Sequence, residues 1–177
     1  PDWSFSNELC EKKVFIRPGM SFGTGHHETT SLMVEALIDY SGNEYSLLDL
    51  GSGSGILSIA GYKLRYKNIH SVEFDLDCED DFGFNTNLNG CSGDIEVCWL
   101  DVLEWNNFNF DIIIANIEKN IIKKIIYNIG DTKARFIFSG LLQEDKDEME
   151  EILIDNKFLI NKIVSKNEWI AIDCNKE

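Results

Sequence analysis

The sequence predicts an α/β fold: a mostly parallel sheet with helices on both faces and an antiparallel hairpin at one edge. Three observations carry this expectation. From residue 46 onward, short apolar runs alternate with helical patterns, and such alternation demands crossover connections between parallel neighbours. The runs centred on residues 48, 112 and 137 are nearly continuous in apolar residues, as strands covered on both sides must be. The chain closes with two runs, 158–166 and 168–174, separated only by Asn167, which is the spacing of a hairpin.

Each element can be justified in order. "TTSLMVEALIDY" (29–40) places Leu32, Met33, Ala36, Leu37 and Tyr40 on one helical face, and Gly42 stops the helix. "SLLDL" (46–50) is the first strand of the alternation, followed by a helix over 55–64. A strand over 69–74 comes next. The stretch 75–90 should hold a helix, but its Asp-rich start and Gly83 make it a weak one. Strands follow at 95–100, 110–115 and 134–139, with helices at 120–129 and 144–154.

Composition narrows the function. A chain of 177 residues is long enough for one domain with a sizeable core. Its five cysteines are scattered, odd in number and lack a CxxC pair, which argues against a disulfide framework or structural zinc and for a reducing cytoplasm. No apolar run approaches the roughly 20 residues of a membrane span, and no signal peptide opens the chain. Because it begins at Pro1 without an initiator Met, an excised or trimmed domain is expected. The net charge of −15 disfavours direct nucleic-acid binding, since phosphate contacts need clustered Lys and Arg. A basic protein is the more natural large partner.

The residues that carry chemistry cluster at predicted strand ends. In "LLDLGSGSGIL" (47–57) an apolar strand runs into Gly51-x-Gly53-x-Gly55 and then a helix, a turn that lets backbone approach a ligand beside a helix N-terminus. A nicotinamide fingerprint would need glycine at Ile56, and no GxxxxGK[ST] loop is present. Glu73, near the end of the next strand, can accept both hydroxyls of a ribose. Asp101 is a candidate either for an adenine amino group or for a turn cap. Asn116 follows four apolar residues at a strand tip, where open α/β sheets bind ligands. The loop "PGMSFGTGHHETT" (18–30) could hold a metal at His26 and His27, a phosphate, or a bound cofactor beneath it. The metal reading fails for want of partners, because the remaining histidine, His70, sits inside a strand.

These residues, with "VEFD", "NTNLNG", "FDIIIANIEKN", "FSG" and "NEWIAI", resemble the ribosomal protein L-eleven methyltransferase (PrmA) family from about Pro18 to Lys176. The resemblance implies a Rossmann-like class I methyltransferase fold with a seven-stranded sheet, and S-adenosylmethionine as cofactor. It implies that Phe22, Gly23, Thr24 and Gly25 fold over the methionine end of that cofactor, braced by His27 and Thr30. Cofactor binding would then fall on Phe22, Thr24, Gly25, Asp49, Gly51, Gly53, Glu73, Asp101 and Asn116, with no metal. Asn116 would be the catalytic residue, its carbonyl oxygen taking an N–H bond from the acceptor nitrogen; Asn120 would line the same pocket or be a solvated helix residue. The implied substrate is an amino group, lysine ε-amine or α-amine, on a ribosomal protein.

Departures from the family leave the acceptor open. Family members often carry Asp where this chain has Glu73, and a separate recognition domain precedes their catalytic domain. Here residues 1–17 read as a segment left from a linker to such a domain, before a cofactor-binding domain over 18–177. Two alternatives remain: a methyltransferase of the same fold acting on a small molecule or another nitrogen, and a non-catalytic module. An NPPY-type motif for amide or base nitrogens is absent, since Asn116 is followed by Ile-Glu-Lys.

Overall fold

A computed structural model describes residues 3–5, 12–17 and 28–176. Phe22, Gly23, Thr24, Gly25, His26 and His27 lie outside the described residues. The elements are β1 (Trp3–Phe5), β2 (Lys12–Val14), α1 (Glu28–Asp39), β3 (Ser46–Leu50), α2 (Ile56–Lys63), β4 (Lys67–Glu73), α3 (Glu79–Leu88) and β5 (Ile95–Trp99). They continue with β6 (Ile112–Asn116), α4 (Lys119–Asn128), β7 (Arg135–Leu142), α5 (Lys146–Asp155), β8 (Phe158–Lys166) and β9 (Trp169–Lys176).

β1 and β2 form a small antiparallel ribbon. The main sheet has seven strands in the order β5-β4-β3-β6-β7-β9-β8. The first five are parallel, and β9 runs antiparallel to both β7 and β8. The period of two along each strand divides the core. Leu47, Ile69, Ile112 and Ile114 pack with α1 and α2 on one face, joined by Phe82 of α3 and by Val14 and Ile16 of the incoming chain. Leu48, Leu50, Ile113 and Ala115 pack with α4 and α5 on the other, together with Val102 and Phe110. Each buried Leu or Ile contributes roughly 1.5–3 kcal/mol, so a lone carboxylate within such a strand stands out as a cost.

The α/β expectation holds, and four local readings are refined. The helix expected over 75–90 is present but confined to the ten residues Glu79–Leu88. Its acidic first turn, Glu79, Asp80 and Asp81, suits a helix N-terminus, and Gly83 faces open space and interrupts no packing. β4 ends at Glu73, leaving Phe74 outside the strand and 70% exposed. β7 runs on to Leu142 past an irregularity between Phe138 and Leu141, which a run ending at 139 does not foresee. The hairpin turn holds two residues, because Lys166 pairs with Trp169 and Asn167 adopts φ 53°.

Candidate functional site at the carboxyl ends of β3, β4 and β6

Strands β4 and β6 flank β3 on opposite sides. The chain therefore leaves β3 in one direction through β4 and β5 and resumes in the other through β6 and β7, which opens a crevice at the carboxyl ends of these strands. The turn after β3 is braced on β4: the N–H groups of Gly51 and Ser52 donate to the Val72 carbonyl at 2.8 and 3.2 Å. Glu73 locks it further. Its Oε2 accepts the Gly53 N–H at 2.8 Å, and its Oε1 accepts the Asp75 N–H at 2.9 Å. A carboxylate has about four lone-pair sites, so Glu73 is oriented by these bonds and keeps capacity for further donors.

Asp49 is 1% exposed. Its Oδ2 accepts from Ser58 Oγ at 2.6 Å, and Ser58 in turn contacts Ser71 Oγ at 2.7 Å. Its Oδ1 is buried with no hydrogen-bond partner among the described residues. Burial pushes its pKa up to about 7; the Ser58 hydrogen bond opposes the rise and the nearby charge of Glu73 adds to it. An orphan oxygen on a buried carboxylate is costly unless something external satisfies it.

Asn116 ends β6, 8% exposed, and its Oδ1 is likewise buried without a partner among the described residues. Two glycines confine the chain just beyond it. Gly51 has φ 79°, and a Cβ there would lie 2.3 Å from Ile117 Cγ2; Gly140 has φ 83°, and a Cβ there would lie 2.3 Å from the Ile117 carbonyl oxygen. The second collision is with backbone, so a glycine at 140 is what leaves room for the main chain of Ile117, the residue after Asn116. Ser52 Oγ and, on the first turn of α1, Thr30 Oγ1 are also buried and unpartnered among the described residues.

Asp49, Gly51, Gly53, Glu73 and Asn116 are therefore brought together. Asp101 lies past the end of β5, exposed, and its Oδ1 accepts the Leu103 N–H at 2.9 Å, the geometry of a turn cap. Asn120 is exposed on the first turn of α4 and donates to Glu118 Oε1 at 2.8 Å. Phe74, exposed directly after Glu73, is a further candidate that strand period alone does not pick out; an aromatic immediately after a strand-tip carboxylate is the signal for it. Ser52 and the Ile117 wedge leave no such pattern.

The donor set decides what fits. A glycine turn before a helix ordinarily welcomes anions. Here Asp49 and Glu73 flank the turn, and the unpartnered oxygens of Asp49 and Asn116 are acceptors, so a phosphate would meet like charge. The residues instead suit a ligand that brings positive charge, hydroxyls and N–H donors. Among the described residues no group of three His, Cys, Asp or Glu is placed to hold a metal, and no helix is long and apolar enough to cross a membrane.

Comparison with known proteins points the same way. The family profile described as ribosomal protein L11 methyltransferase (PrmA) matches residues 1–177. A ribosomal protein L11 methyltransferase of Bacillus licheniformis is 35% identical, covering 99% of this chain and 58% of the relative. That of Staphylococcus carnosus is 37% identical, covering 94% and 53%. The chain thus spans a little over half the length of these curated relatives. The crystal structure of a ribosomal protein L11 methylase from Lactobacillus delbrueckii subsp. bulgaricus superposes with a TM-score of 0.84 at 27% identity, covering 94% of this chain and 87% of that one.

Proposed function

The chain belongs to the ribosomal protein L11 methyltransferase family, and from that premise we propose that it is an S-adenosylmethionine-dependent protein N-methyltransferase. Its acceptor is a lysine ε-amine or an α-amine on a ribosomal protein of the L11 type. One observation carries the reading beyond kinship: a buried carboxylate, Asp49, keeps one oxygen without a partner among the described residues beside a glycine turn. S-adenosylmethionine, when bound, supplies an electrophilic methyl group on a positively charged sulfur.

The chain's own residues divide the rest of the work. Asp49 places negative charge where the cationic methionine end would lie, with Gly51 and Gly53 giving close backbone approach. Glu73, held by Gly53 and Asp75, offers its remaining lone pairs to the ribose hydroxyls. Phe74 presents an exposed apolar ring next to Glu73, a flat surface for the base. Asn116 Oδ1 accepts an N–H from the incoming amine and fixes the direction of its lone pair. The amine must arrive without its extra proton, because an ammonium has no lone pair; Asn116 is too weak a base to remove it. Phe22, Thr24 and Gly25 would cover the methionine end, and Asp101 would lie near the adenine with one oxygen already committed to Leu103. The chain acts in the cytoplasm on this reading.

The test is a calorimetric titration with S-adenosylmethionine and S-adenosylhomocysteine, followed by mass spectrometry of ribosomal protein L11 incubated with the chain and S-adenosylmethionine. Binding of both compounds and added mass in 14-Da steps on L11 is the expected result. Failure of both compounds to bind overturns the proposal.

A further inference from the structure

The segment "NTNLNG" places Asn85 on α3 and Asn89, its C-cap, one helical turn further on, and the site described above uses neither. The rise over four helical residues is about 6 Å, close to the span of two residues in an extended strand, roughly 6.6 Å. The two amides exploit that match to hold residues 15–17. Asn89 Oδ1 accepts the Phe15 N–H at 2.9 Å while its Nδ2 donates to the Phe15 carbonyl at 2.6 Å. Asn85 Oδ1 accepts the Arg17 N–H at 2.9 Å. Side chains thus read this strap as a neighbouring strand would. Arg17 adds a bond to Asp81 at 3.1 Å and stacks over Phe84 at 4.4 Å.

Asn85 alone of the pair also reaches the glycine turn. It is 0% exposed, and its Nδ2 donates to the Ser54 carbonyl at 2.9 Å. The peptide that begins at that carbonyl continues into the Gly55 N–H, which donates to Ser52 O at 2.9 Å. Both faces of this peptide are therefore fixed, one by the turn itself and the other by α3. We infer that Asn85 is a positioning residue for the cofactor turn, linking the seating of residues 15–17 to the orientation of the Ser54–Gly55 peptide. For its effect on cofactor affinity, the inference rests on the function proposed above.

Asn85→Asp tests it, because the variant keeps the acceptor for Arg17 and replaces the donor to Ser54 with a second acceptor. Hydrogen exchange followed by NMR should show the Gly53 and Gly55 amides exchanging about tenfold faster, while Phe15 and Arg17 stay within about threefold of wild type. Calorimetry should show S-adenosylmethionine binding about tenfold more weakly. Since a buried carboxylate can prevent folding, Asn85→Ala serves as the second variant; there Arg17 also exchanges faster. Unchanged turn amides in the folded variant overturn the inference. So does uniform acceleration across α3 with unchanged cofactor affinity, which marks a merely structural asparagine. If the turn amides respond but the wild-type chain binds no S-adenosylmethionine, the positioning link stands and the proposed function falls.

Discussion

Asp49 and Asp173 lie in one row across the sheet, since Asp49 pairs with Ile114, Ile114 with Ile137, and Ile137 with Asp173. Both are buried, at 1% and 7% exposure, and both take side-chain partners, Asp49 from Ser58 of α2 and Asp173 from Tyr40 just past α1. Their surroundings differ in one respect. Asp173 accepts from Tyr40 Oη, from Arg135 at 3.2 and 3.3 Å, and from Asn161 at 3.0 Å, so both of its oxygens are engaged. Arg135 also stacks over the Tyr40 ring at 4.4 Å, and burial with the Asp173 hydrogen bond pushes Tyr40 up to about 12. Asp49 has Ser58 on one oxygen and no partner on the other among the described residues. A saturated buried carboxylate ties elements together; one left half-satisfied is held ready for something that arrives from outside.

The largest effect that would sharpen this contrast is at Asn116, the other unpartnered acceptor. Asn116→Ala should lower the rate of methyl transfer by about a hundredfold or more, because a misplaced acceptor nitrogen forfeits alignment. The melting temperature should barely move, since no bond within the protein is lost from Oδ1. A variant that keeps its rate, or that unfolds, would place Asn116 with the structural polar groups instead.

Asp173→Ala should show the reverse pattern. Removing one member of a buried pair strands the other, here Arg135 at 28% side-chain exposure, and costs about 2–4 kcal/mol. Denaturant unfolding would read the loss, while calorimetry with S-adenosylmethionine should give an unchanged affinity in the surviving folded fraction. A changed affinity would mean that the row transmits to the site and that the two aspartates are not independent.

Asp49→Asn comes next, and its sign depends on pH. The carboxyl ionises near 3.8 in the unfolded chain and only near 7 in the folded one. Between those values the folded state binds the extra proton, so stability of the ligand-free protein falls as pH rises from about 4 to 7 and is level above that. Asn carries no such penalty; the variant should be more stable than wild type at pH 8 and equal to it near pH 4. Affinity moves oppositely. Wild-type binding of a cationic ligand should weaken as pH drops below 7, by up to about tenfold per unit, and the variant should bind weakly at every pH. Melting curves and titrations across pH 5 to 8 check both halves; parallel pH profiles in the two proteins would refute the assignment of Asp49.

How much of this was legible in the sequence follows from where each signal lives. Asn116 stands at the end of an apolar run and Glu73 at the end of a predicted strand, so strand period and polarity place them at the sheet's ligand-binding edge without any structure. The glycine turn is visible for the same reason. What ties α3 to the rest of the chain is not legible because it is not periodic: Asn89 at its C-cap bonds Phe15, and Asn85 bonds Arg17 and Ser54, partners 74, 68 and 31 positions away. The extent of β7 was hidden because a glycine reads as a break in a strand, whereas at Gly140 the missing Cβ is what lets the backbone clear Ile117. Asp101 was ambiguous by nature, since a carboxylate that caps a turn and one that meets a ligand look alike until the Leu103 N–H is seen beneath it. The contrast between Asp49 and Asp173 was not legible at all; both are single acids inside apolar runs, and only tertiary partners separate them.

The smallest expected effect comes from a third aspartate, at the amino end of β6's approach. Asp111 Oδ2 accepts both the N–H and the hydroxyl of Ser46, at 2.8 and 2.7 Å, and Ser46 Oγ accepts the Asp111 N–H at 2.9 Å. These bonds hold its carboxyl below the ordinary 3.8, the opposite direction from Asp49. The unfolded chain therefore takes up this proton first as pH falls, so the stabilisation is complete above about pH 4 and is lost as the solution becomes acid enough to protonate the folded carboxyl. Ser46→Ala removes the hydroxyl and should cost roughly 0.5–1.5 kcal/mol at neutral pH, a difference that shrinks on acidification. Urea titrations of both proteins at pH 7 and pH 3 measure it. A cost that is equal at the two pH values would show that the bond's charge contributes nothing. If the cost instead grew in acid, Asp111 would share the raised, ligand-seeking character of Asp49, and saturation by neighbours could no longer be what distinguishes the aspartates of this sheet.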